Sequence, residues 1–170
     1  MIEIKKQDLK NGKQYDELIK YCIQTCDYFM FVICNFDFTD DYNVKMEKIK
    51  SKLSDLFVKE RSNPNWPSTE SLDDRHKYNI CFYKCDAKAL KLLKAPGGVF
   101  EWRYPDYPED LSFFRGNKCF MYLSAHEEEL WFQNETDEDV VFFKNIGICP
   151  QNVERTDDSC FEPFYEDGLT

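Results

Sequence analysis

The stretch from Tyr28 to Phe36, YFMFVICNF, places the tightest limit on the fold. It is apolar almost without interruption and rich in aromatic and branched side chains, so it reads as a central strand buried on both faces. Such a strand needs partners on both edges and cover above and below. Tyr78–Cys85 is one partner: Tyr78, Ile80 and Phe82 alternate onto one face. The runs Leu111–Phe114 and Cys119–Leu123 are two more, joined through the turn signal Arg115-Gly116-Asn117. A second reversal at His126–Glu128 returns Glu129–Phe132 as a strand. Phe31, Ile33, Ile80, Phe82, Phe120 and Tyr122 are the core residues these strands predict.

The cover is helical. Tyr15, Leu18, Ile19, Cys22, Ile23 and Cys26 recur at three and four residues, which predicts an amphipathic helix over 13–26. Met46, Ile49, Leu53, Leu56 and Phe57 do the same over 42–59, with lysines between them. Asp86 is placed to cap a short helix to Lys94. Thr136 and Asp139 form a capping-box pattern, with Asp for the usual Glu, ahead of a helix over 137–145 that ends before Gly147. Residues 1–7 are read as a lead-in, 61–75 as a long loop and 150–170 as an acidic, turn-rich tail. The expected architecture is a single α+β domain over 1–170. Its mostly antiparallel sheet has about five or six strands, with helices packed on one face.

Charge and composition narrow the functions. The formal net charge is −10, and residues 101–170 carry 17 acids against five bases. Direct nucleic-acid binding needs a basic face and is disfavoured. No apolar run reaches the ~18 residues of a membrane span, and no apolar segment follows the charges of the first residues as in a signal peptide. A cytoplasmic protein is expected. Its eight cysteines are therefore expected as free thiols. Cys22/Cys26 and Cys81/Cys85 are each four apart, which permits a four-thiolate zinc site, though small buried hydrophobes are the plainer reading. Asp73, Asp74 and His76 have metal-ligand chemistry, but with no second His nearby they are read as an exposed polar turn. Phosphate loops, dinucleotide glycine motifs and nucleophile elbows are absent, and no cofactor or metal is expected.

If the chain has a site, it belongs to Val99–Phe132, where two of the three Trp and one of the two His mix with carboxylates. Tyr104-Pro105 and Tyr107-Pro108 stiffen Trp102–Asp110 into an extended surface segment. For acid–base chemistry the candidates are His126, Glu127, Glu109 and Asp110. Ser124 would share a strand face with His126. For binding they are Trp66, Trp102, Tyr104, Tyr107, Glu127, Glu128, Glu129 and Trp131. Seven acids lie between Glu127 and Asp139 and are expected to form one acidic edge. With exposed aromatics, that edge suits a basic protein partner. The leading expectation is a non-catalytic protein-binding domain, and the alternative is a small hydrolase-like enzyme using His126 and nearby carboxylates.

The segment YPEDLSFF, followed by the hairpin and SAHEEE, resembles a family of small uncharacterised bacterial proteins. Some of them carry a stage III sporulation protein AH-like label. The similarity covers about residues 78–148 and implies no activity. In size, charge and composition the chain also resembles immunity proteins that neutralise toxins.

Overall fold

The computed structural model describes residues 1–9, 12–34, 40–69, 78–148 and 151–152. The elements are β1 (Ile2–Lys5), α1 (Gly12–Thr25), β2 (Tyr28–Ile33), α2 (Asp40–Lys52), β3 (Phe57–Asn63), β4 (Tyr78–Lys84), α3 (Leu90–Leu93), β5 (Glu109–Arg115), β6 (Lys118–Ser124), β7 (Glu129–Phe132), α4 (Asp137–Asn145) and β8 (Gln151–Asn152). The strands form one antiparallel sheet in the order β3-β4-β2-β5-β6-β7-β1-β8. The fold is α+β. Seven strands and the two-residue β8 exceed the five or six expected.

The extra strands lie toward the sheet's edges. β1 has only four residues, too few for its alternation to stand out, and pairs with β7. β3 replaces the end of the helix predicted over 42–59 and the start of the loop predicted over 61–75. Its apolar spacing misleads because Leu53 and Leu56 stay buried in a short 3-10 turn after α2 while the chain has already left the helix. β3 then carries Lys59, Glu60 and Arg61 along an outer edge, as edge strands commonly do. Residues 70–77, with Asp73, Asp74 and His76, lie outside the described residues, as do Cys149 and all of the predicted tail except β8.

β2 sits near the middle and is buried along nearly its whole length. On one face Phe29, Phe31, Phe113, Phe120, Leu123 and Phe132 pack against the apolar sides of α1, α2, α3 and α4. On the other, Met30, Val32, Ile80, Phe82, Phe114 and Tyr122 form a smaller cluster with Trp66. The six predicted core residues are all buried. Burying a full aromatic or branched side chain stabilises by roughly 1.5–3 kcal/mol, so this two-sided strand anchors the fold.

Three bulges break the ladders, one of them between β3 and β4 at Phe57–Lys59 and two along β5. Of the two along β5, one sets Phe113 opposite Met121 and Phe114 opposite Cys119, with Phe120 as the extra residue. The other falls where β5 begins: Met30 faces Ser112 but Val32 faces Glu109, so β5 holds one residue too many, and Asp110 takes a left-handed φ of 53°. Successive strand residues ordinarily point to opposite faces. A bulge re-aims one of them, and this one brings the adjacent acids Glu109 and Asp110 to the same place.

Candidate functional site

That place is a cavity of about 520 Å³ at one end of the sheet. The end of β2, the starts of β4 and β5 and the end of β6 meet there. Glu109, Asp110, Glu127 and His126 line it together with Trp66, Tyr78 and Tyr104, and Cys34 and Ser124 also face it.

Asp110 organises the surroundings. It is 4 % exposed. One carboxylate oxygen accepts the Ala125 N–H at 2.8 Å and the other the Trp66 Nε1–H at 2.9 Å. The first bond pins the β6–β7 turn and so places His126, the next residue, at the cavity mouth. The second holds Trp66, whose loop is closed by paired Trp66 and Thr69 backbone bonds and by Ser68 Oγ donating to the Leu123 carbonyl. Glu109 is 5 % exposed. It accepts the Tyr104 N–H at 2.9 Å, and its other oxygen stands 3.0 Å from His126 Nε2.

The charges do not balance. Three lining residues are acids, and among the described lining residues only His126 is able to become a cation. Both of Asp110's donors are neutral. Burial pushes the Asp110 carboxyl up to about 6, with the nearby Glu109 charge adding to the rise, while the Ala125 and Trp66 bonds and His126 work against it. The Cys34 thiol is raised to about 12 by burial and by the Glu109 and Asp110 charges. Burial and the two acids thus disfavour a Cys34 thiolate in this cavity.

The four acid–base candidates named from the sequence thus come together. The binding candidates divide. Trp66 is buried, edge-on to Tyr78 at 4.8 Å, and its remaining surface belongs to the cavity wall rather than to the protein's exterior. Tyr104 also lines the cavity. Trp102 is fully buried and donates to the Tyr15 hydroxyl, so the segment expected on the surface begins inside the core. Tyr107 is half-buried beside Trp102. Trp131 is half-buried and stacked on Tyr122.

The single acidic edge is not formed. Four-residue β7 separates Glu127 and Glu128 from the start of α4 by about 10 Å of strand. Several of the acids are also matched: Glu128 pairs with Lys6, Glu135 with the Met1 amine, and Asp139 is buried against Arg115. Ser124 ends β6 and His126 lies in the turn, so the two share the cavity rather than a strand face. The four-thiolate arrangement is also absent: Cys81 donates to Glu60 at 3.3 Å, and among the described residues no group of three or more His, Cys, Asp or Glu is arranged to hold a metal. The six described cysteines are free.

Sequence reasoning missed Tyr78 and Cys34 as site residues. Both were read only as strand positions, and no local pattern marks a strand end that opens onto a cavity. Comparisons with protein families, with curated proteins and with solved structures returned no match. No helix among the described residues is long and apolar enough to cross a membrane.

Proposed function

We propose that this protein binds a basic protein partner, and that the cavity receives one cationic side chain of that partner. The carrying observation is the pair of buried carboxylates, Glu109 and Asp110, that meet no Lys or Arg among the described lining residues. Buried charge is ordinarily paired, and what the described lining of this cavity lacks is a permanent cation. Trp66, Tyr78 and Tyr104 supply aromatic faces that attract one. Glu127 at the rim would favour encounter. A toxin neutralised by this chain is one form such a partner could take.

The test is fluorescence anisotropy with labelled octa-arginine and octa-glutamate peptides. Octa-arginine is expected to bind and to weaken with salt. Glu109→Gln is expected to weaken it about tenfold or more, the scale of a lost partly buried charge contact. Octa-arginine binding left unchanged by Glu109→Gln would place recognition elsewhere.

The His126–Glu109 contact favours one second reading, a hydrolase-like site in which Glu109 orients His126 as general base. Turnover of a simple aryl ester that His126→Ala and Glu109→Gln both abolish would support it, and turnover indifferent to either would remove it.

A further inference from the structure

We infer that His126 is the cavity's own exchangeable cation, holding Glu109 while the cavity is empty and giving way to the guanidinium of an arginine side chain when the partner binds. This rests on the cation-binding reading above and adds the group taken and the competitor displaced.

The mounting of the two groups is unequal. The Glu109 side chain is 7 % exposed and is fixed by the Tyr104 N–H, whereas the His126 side chain is 62 % exposed and stands on a surface turn. The imidazole is therefore free to rotate away without disturbing the core, while the carboxylate stays in place. The turn itself remains anchored through Ala125 and Asp110.

The walls favour guanidinium over ammonium. A guanidinium is planar, weakly hydrated and able to stack on aromatic rings, whereas an ammonium is strongly hydrated and costs more to bring out of water. Trp66, Tyr78 and Tyr104 supply rings, and the carboxylates supply acceptors. Cys34, 8 % exposed, lines the cavity as well and adds a thiol to its polar surface.

Exchange of this kind is linked to protons. On the cavity side His126 faces Glu109, Asp110 and Glu127. On its other side a second depression presents Glu101, Arg103, Tyr104, Asp106 and Tyr107. A protonated imidazole competes for Glu109 with a full charge, a neutral one only with a hydrogen bond. Asp110 carries its charge only once its own proton has left. Both effects make cation affinity rise with pH, and both release protons when the cation enters.

The experiment is calorimetric titration of the full chain with ethylguanidinium and with n-propylammonium from pH 5.5 to 8.5, in buffers of different ionisation enthalpy. Ethylguanidinium is expected to bind more tightly than propylammonium, to bind about tenfold or more tighter at pH 8.5 than at pH 5.5, and to expel protons. His126→Ala should strengthen binding at pH 5.5 and flatten the profile. His126→Lys, a competitor that keeps its charge, should weaken binding throughout. Binding without pH dependence or proton release, or a profile unchanged in His126→Ala, would overturn the exchange and leave the cation site standing. Tighter propylammonium binding would overturn the choice of guanidinium. Failure of both cations to bind wild type and His126→Ala at every pH would overturn the cation site and the exchange together.

Discussion

The two ends of β5 hold two buried aspartate networks of opposite character. At one end Asp110 accepts two neutral N–H groups and its carboxyl is pushed up to about 6. At the other, about 17 Å along the strand for five residues, Arg115 reaches Asp139 with two hydrogen bonds, at 2.8 and 2.6 Å. Asp139 also accepts from Tyr21 and from both the backbone and the hydroxyl of Thr136. Burial works against ionisation there too, but Arg115, Tyr21 and Thr136 overcome it and hold the carboxyl down at about 2. Arg115 also lies over the Phe120 ring at 3.6 Å, so the bulge at Phe120 gives this ion pair an aromatic floor. Burial alone therefore does not mark a functional acid. An acid whose charge is met by its own fold holds elements together, and here Asp139 ties α1, β5 and α4. An acid left short of positive charge beside an open cavity is available to something else.

The two ends should differ most visibly in stability. Phe31 is fully buried between the two ends and stacks toward Trp102. Phe31→Ala should cost about 3–5 kcal/mol by chemical denaturation, and a loss below about 1 kcal/mol would mean that β2, the strand paired beside β5, does not anchor the core. Arg115→Ala leaves Asp139 buried without its cation and should cost about 3 kcal/mol, against less than about 0.5 kcal/mol for exposed His126→Ala. Equal losses would erase the distinction between the ends.

The pH dependence sharpens it, because the two acids tilt stability in opposite directions. Asp139 has a folded pKa below its usual 3.8. Its contribution is present above pH 4 and is lost as pH falls toward 2. Asp110 has a folded pKa above 3.8, at about 6. The folded state holds its proton longer than the unfolded state does, so stability falls as pH rises from about 4 to 6. Each limb should amount to about 2–3 kcal/mol. Arg115→Gln should flatten the acid limb only, and Asp110→Asn the upper limb only; urea melts from pH 2 to 7 check both. The smallest effect belongs to the α4 cap: Thr136→Ala should cost about 1 kcal/mol, and no loss would remove the cap from the matched network.

The matched end was the more legible from sequence. Thr136 and Asp139 are three residues apart, and the predicted capping box is present. The central strand and the β5–β6 hairpin were legible for the same local reason, continuous or alternating apolar residues beside a turn. The cavity was legible only as chemistry. Glu109, Asp110, His126 and Glu127 stood out as residue types, but an acid-rich stretch offers many such pairs. What selects this set is non-local: a bulge opposite β2, and a Trp66–Asp110 bond spanning 44 positions. Strands β1 and β3 escaped because one is too short to show alternation and the other is half-exposed and charged. The expected acidic edge failed because side-chain pairing, which spacing alone does not show, had already met several of its charges.

The most direct test of the contrast is carboxyl NMR titration of Asp110 and Asp139 with and without ethylguanidinium. The expected result is a midpoint near 6 for Asp110 that falls when the cation is added, and a midpoint near 2 for Asp139 that does not move. An Asp110 midpoint in the ordinary range of about 3.5–4, or one that the cation leaves unchanged, would contradict the account.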